Sequence, residues 1–316
     1  MSGDGLCGAW SAVSERRRPR RRRRGGEEHD QLGALQRRIR EAREKLLMSD
    51  FWEATKGSVS QCLRRQREQI QGTARPVAEI LGGLCLAPAE PGVPGASPEA
   101  EPPPSPSARK CVCYGLGNFA SCVTARFQLA FLLLLLEHVQ IPRNHCSVFD
   151  PAFSPLEIAV LDGLGVTVLQ ENEEGKRSVG DESTLFYMVH CGTALYNNLL
   201  WSNWSVDALA RTVIVGNSFG GIRERLATRI FLRDYPYMAK ILKGTEEVAF
   251  PQTPDYMDVF NDTSLHWFPV PKLKELPLQV WLFREEPDYR DCDQLEIIRR
   301  REGPGSAAPT DGLAIH

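Results

Sequence analysis

From Cys111 onward, short apolar runs alternate with longer stretches of helical spacing. Val112–Tyr114, Cys146–Phe149, Val166–Leu169, Leu185–Val189 and Thr212–Val215 read as strands. The last is apolar without alternation, as a strand covered on both faces should be. Between them, Phe119 to about Gln140, Pro155–Leu161 and Thr193 to about Trp204 read as helices. A helix from about Phe219 to Leu232 and a shorter one near Tyr237–Leu242 follow, and Val259–Phe268 and Gln279–Phe283 are late strand candidates. Strands separated by helices predict βαβ units. The expected fold is therefore α/β, with a Rossmann-like, doubly wound, mostly parallel sheet.

Upstream the pattern differs. Leu32, Leu35, Ile39 and Leu46 lie near one face of a helix that Asp30 can cap. A second helical stretch, about Val59–Ile70, carries Arg64, Arg65 and Arg67 on its polar face. The simplest expectation is a pair of helices packed loosely on the main domain, and a partner-binding helix is the alternative. Pro88, Pro91, Pro94, Pro98 and four further prolines up to Pro106 mark residues 87–108 as an extended linker. The chain thus divides into an arginine-rich tail (1–29) expected to be disordered, a helical region (30–86), the linker, an α/β domain (109–300) and a flexible tail (301–316). On this division a fragment starting at Arg109 should be soluble and melt cooperatively.

Charge sharpens the contrast. Residues 1–86 hold 18 basic against 11 acidic side chains, and the remainder 20 against 29, so a net of +7 faces a net of −9. Arg16–Arg18 and Arg20–Arg24 cannot bury themselves and suit nuclear import or contact with polyanions. The folded part is acidic, so sequence-specific nucleic-acid binding is not expected. The apolar run Leu129–Leu136 is too short to span a bilayer, and the early residues show no signal peptide, so no membrane association is expected. Nine scattered cysteines suit reduced thiols in cytoplasm, with a nuclear fraction open, rather than a disulfide framework.

Candidate chemistry gathers at strand ends. Gly115-Leu116-Gly117-Asn118 follows the first strand and, with Ala120 in the third small position, suits the turn on which a doubly wound fold holds a cofactor. Asp150 ends the second strand, where an acid can hold ribose hydroxyls or cap the turn. His190 and Cys191 end the fourth strand, and Asn217 and Ser218 the fifth. Ligands bind outside the carboxyl ends of such strands, so these residues should converge on one rim. Gly115, Gly117, Asn118, Asp150, His190 and Asn217 are the candidate binding residues for a nucleotide-type ligand. A His there can act as a base and a Cys as a nucleophile, though no pair names a reaction. No metal-ligand spacing occurs; Cys111-Val112-Cys113 reads as buried thiols.

Tyr114–Phe119, Val148-Phe149-Asp150-Pro151, Val189-His190-Cys191, Leu195–Leu200, Gly216–Phe219 and Phe260–His266 together resemble the SRR-like, or "sensitivity to red light reduced", family, and an animal member of it. The resemblance runs from about Lys110 to Phe268. Family members typically carry Pro before the His and often Asn-Asn after Phe260, where this chain has Val189 and Asn261-Asp262. The resemblance implies a regulatory protein: circadian-clock output and light signalling in plants, clock-gene expression and haem biosynthesis in animals. No biochemical activity comes with the resemblance, and protein partners are expected. The alternative on the residues is an adenosylmethionine-dependent methyltransferase, which a βα glycine turn, an acid after the second strand and a late pair of strands would suit.

Overall fold

The computed structural model describes residues 21–82, 109–289 and 297–298, with side chains described for 30–72, 109–289 and 297–298. Residues 1–20, the proline-rich linker and the C-terminal tail lie outside the described residues.

Two long helices come first, α1 (Arg21–Leu47) and α2 (Asp50–Gly82). Helix α1 starts inside the segment expected to be an unstructured tail. Ser49 separates the two. Its hydroxyl donates to Leu46 O at 2.6 Å and accepts the Trp52 N–H at 3.2 Å, so it ends one helix and caps the next. The chain continues with β1 (Lys110–Tyr114), α3 (Val123–His138), β2 (Cys146–Phe149), α4 (Pro155–Gly163), β3 (Thr167–Val168), β4 (Thr184–Met188), α5 (Thr193–Ser202), α6 (Val206–Ala210) and β5 (Thr212–Asn217). Then follow α7 (Phe219–Arg225), α8 (Thr228–Asp234), α9 (Pro236–Ile241), β6 (Glu246–Ala249), α10 (Met257–Phe260), β7 (Thr263–Trp267), α11 (Val270–Glu275) and α12 (Leu278–Leu282).

The fold is α/β, with one seven-stranded mixed sheet in the order β3-β2-β1-β4-β5-β7-β6. Strands β1 to β5 are mutually parallel, and β7 runs antiparallel to both β5 and β6. Every residue of β4 is buried, because helices cover both faces. Leu129–Leu136 of α3 are all buried, so this helix is apolar all round; it lies between the sheet and α1. Helix α4 starts on a capping box, with the Ser154 hydroxyl accepting the Glu157 N–H and the Glu157 carboxylate accepting from Ser154.

The N-terminal helices do not pack loosely. Leu35, Ile39, Leu46, Phe51, Trp52, Val59 and Leu63 share one continuous core with α3 and the sheet. Gln69 of α2 donates to Ala210 O and Phe268 O and accepts the Val270 N–H, which ties α2 to the far end of the sheet. The apolar stripe read from the sequence is a core stripe, packed against α3.

Other elements also differ from expectation. Gln279–Phe283 is not a strand. It falls largely in α12, with Leu278 and Leu282 exposed on one side. The expected long helix from Phe219 breaks at Leu226 and Ala227 into α7 and α8, and the break brings both Ile222 and Phe231 into one core. The late pair of strands is β6 and β7. Among the described residues no helix is long and apolar enough to cross a membrane.

Candidate functional site

The strand order reverses direction between β1 and β4, the position at whose carboxyl ends open α/β sheets of this kind hold ligands. Gly115 and Gly117 follow β1 with φ of +69° and +74°, conformations that favour glycine. The turn does not open directly into a helix. Phe119 turns inward and is fully buried, and α3 begins only at Val123. The Asn118 carboxamide bridges this gap by accepting from both the N–H and the hydroxyl of Ser121.

The loop N–H groups meet carboxylates of the chain itself. The Gly117 N–H donates to Asp150 Oδ2 at 2.7 Å, and the Ala120 N–H to Glu157 Oε1 at 2.8 Å. Asp150 Oδ1 accepts the Ala152 N–H at 2.8 Å. Asp150 therefore caps its own turn and clamps the glycine loop. Each of its oxygens retains a lone pair. Arg126, a buried cation on α3, donates to Phe119 O and Ala120 O and closes the loop from below.

On the other side of the crevice, Asn217 joins two strand ends. Its Oδ1 accepts the His190 N–H at 2.7 Å, and its Nδ2 donates to Cys191 O at 3.0 Å. This holds His190 at φ +58°, a strained backbone for a non-glycine residue. The exposed His190 ring is fixed too. Gln128 Nε2 donates to Val259 O at 3.0 Å and lies 3.2 Å from His190 Nδ1. Cys191 is not placed as a nucleophile. Its thiol is buried and donates to Tyr114 O at 3.2 Å. Burial, helped by the Asp150 charge, pushes the thiol well above the usual range.

A cleft of about 180 Å³ opens beside these residues, between the start of α5 and the C-terminal half of α7. Cys191, Thr193, Asn217, Ile222, Arg225 and Leu226 line it. Arg225 Nη2 donates to Asp262 Oδ2 at 2.6 Å, and Asp262, at φ +54°, accepts the Ser218 N–H on its own carbonyl at 2.7 Å. That bond to Asp262 keeps the Arg225 pKa above its ordinary value. Among the described residues no cluster of three metal-ligating side chains occurs.

The SRR1 domain model matches residues 95–267. A mouse SRR1-like protein is 56% identical over 251 residues, covering 77% of this chain and 96% of the relative. The chain belongs to the SRR1 family. Within this family it is also similar to the Arabidopsis thaliana protein SENSITIVITY TO RED LIGHT REDUCED 1, at 34% identity over 54% of this chain and 62% of that one. A Drosophila melanogaster SRR1-like protein is 31% identical, over 51% of this chain and 55% of that one. No solved structure matches.

The structure separates the SRR1 motif residues by role. Asn197 is fully buried and works structurally: its Oδ1 accepts the Tyr237 and Met238 N–H groups at the start of α9, and its Nδ2 donates to Tyr289 Oη at 2.9 Å. Asn198 donates to Glu174 O and so pins the acidic loop. Replacing Asn197 by Leu keeps volume but strands two buried donors, at about 1–3 kcal/mol each. A drop of the denaturation midpoint with an unchanged slope would show it; retention of wild-type stability would refute this role. At the start of α7, Glu247 accepts the Gly220 N–H at 3.1 Å. Burial would raise its carboxyl, but the His266 hydrogen bond and charge, with Ser218 and the Gly220 N–H, outweigh this and hold it at about 2.

The rim thus gathers all the expected residues, with Gly115, Gly117, Asn118 and Asp150 on one side and His190 and Asn217 on the other. Arg225, Glu157 and Gln128 escaped the sequence reading. Each sits inside a helix, where spacing marks only a face. Their role appears once the loop and strand ends are placed beside them.

Proposed function

We propose that this chain is a regulatory protein whose α/β domain, Rossmann-like in character, binds a nucleotide-type small molecule on the rim. Its regulatory field is the one implied by the family, clock-gene expression and haem biosynthesis, exercised through protein partners in the cytoplasm and in a nuclear fraction. The Arabidopsis relative is named for reduced sensitivity to red light, which fits a signalling role. The observation that carries the reading is the reversal of strand order between β1 and β4, with the glycine turn and Asp150 on one lip and His190 and Asn217 on the other. Because the Gly117 and Ala120 N–H groups are taken by carboxylates, the hydroxyl-bearing part of the ligand faces this loop, with Asp150 as acceptor.

Thermal-shift titration with adenosylmethionine, NAD, ATP and haem tests it. At least one should raise the melting temperature, and Asp150→Ala should weaken that ligand by about 1–3 kcal/mol, the worth of a charge-assisted hydrogen bond. If none stabilises the chain at millimolar concentration, the reading fails. A second reading, a methyltransferase-like enzyme, is favoured by one feature: β7 runs reversed between β5 and β6. A response confined to adenosylmethionine would select it.

A further inference from the structure

We propose that the cleft between α5 and α7 is a subsite for the anionic group of the rim ligand, a carboxylate or a phosphate, held by Arg225. The inference rests on the ligand reading above and adds which end of the ligand lies where.

The two lips of the rim differ in charge. At the glycine loop, the N–H groups of Gly117 and Ala120 already meet the Asp150 and Glu157 carboxylates. An anion there would face two negative groups. Across the crevice, the residues that line the cleft include one cation, Arg225, and no acid. Asp262 lies outside this lining and grips only one end of the guanidinium, through Nη2. The planar fork is thereby oriented, while Nε and Nη1 keep donors for a second partner. Thr193 and Asn217 add polar groups to the same walls. Asn217 has both ends of its amide committed to strand ends, so it shapes the wall rigidly. A space of about 180 Å³ is large enough for a carboxylate or a phosphate with its waters and too small for a whole nucleotide. A ligand with hydroxyls towards Asp150 and its charge towards Arg225 spans the crevice between the lips.

The test uses the full chain and its Arg225→Gln and Arg225→Lys variants. Arg225 is half exposed, so both variants should fold, and circular dichroism checks this. Probes are pyrophosphate alone, AMP against adenosine, and adenosylmethionine against methylthioadenosine. Pyrophosphate should shift the amide resonances of Thr193 and Asn217. The charged member of at least one pair should bind more tightly than its uncharged mate. Arg225→Gln should remove that advantage, about tenfold or more for a lost charge-assisted bond, and Arg225→Lys should restore part of it. The AMP and adenosylmethionine arms tell a phosphate from a carboxylate. Nucleosides that bind equally well to wild type and Arg225→Gln would overturn the subsite and leave the ligand reading standing. Pyrophosphate held by Arg225 with no nucleoside binding would uphold the subsite and sink that reading. No binding of any probe would overturn the subsite.

Discussion

A chain cut back to Arg109 will aggregate or melt without cooperativity, while a chain that starts at Asp30 will unfold in a single transition. The reason lies in the shared core. Phe51 of α2 is buried and stacks on Phe260 at 4.9 Å between ring centroids. It also meets Phe131 at 6.0 Å, Phe250 at 6.1 Å and Tyr256 at 5.2 Å. Trp52 closes on Phe131 from the side at 5.5 Å. Removing α1 and α2 would open this aromatic cluster and the outer face of α3 to water, a patch of the kind that drives association. A single change measures the same coupling. Phe51→Ala should cost about 3–5 kcal/mol, the range for a large aromatic in a core that cannot collapse. Phe260→Ala in a double-mutant cycle should show a coupling of about 0.5–1.5 kcal/mol for the stacked pair. A soluble, cooperatively melting fragment from Arg109, together with a Phe51→Ala cost below about 1 kcal/mol, would contradict this packing.

The central strands were legible because burial on both faces leaves a local trace. Leu185–Val189 and Thr212–Val215 carry β-branched, aromatic and long apolar side chains with no polar alternation. Strand β6 left none: Glu246–Ala249 lies at the sheet edge, mostly exposed, and its strand character comes from pairing with β7. Helix α12 misled for the opposite reason, since Val280, Trp281 and Leu282 form an apolar run too short to tell a strand from a helix turn. The packing of α1 was beyond local reading because an apolar stripe says that a face is covered and not by what.

The same distinction runs through the candidate site. The glycine turn and Asp150 were visible as types at the ends of strands. That Asp150 accepts the Gly117 N–H could not be seen, because 33 residues separate the partners. Arg225 and Asp262, 37 residues apart, meet only when β7 returns beside β5. Sequence patterns locate strand ends; the tertiary pairing of those ends decides which polar groups remain for a ligand.

Of the two loop glycines, Gly115 should prove the more sensitive to substitution. Both have positive φ, so an alanine at either costs about 1–2 kcal/mol in backbone strain. The surroundings differ. A Cβ on Gly117 would meet Ala125 Cβ at 3.6 Å, an ordinary contact. A Cβ on Gly115 would stand 2.5 Å from Cys191 Sγ, which is buried and bonded to Tyr114 O. Something must shift, and the sulfur cannot leave without losing its hydrogen bond. Gly115→Ala should therefore cost about 2–4 kcal/mol, the strain plus the overpacking cost of a tight core. Cys191→Ala removes the clashing sulfur and leaves the nearest contact, to Cys191 Cβ, at 3.9 Å. The Gly115→Ala, Cys191→Ala double variant should thus fall short of the summed single costs by about 1–2 kcal/mol. Denaturant midpoints of the four chains decide the matter. Equal costs for Gly115→Ala and Gly117→Ala, with no rescue by Cys191→Ala, would show that β1 and β4 do not meet as closely as this crevice requires.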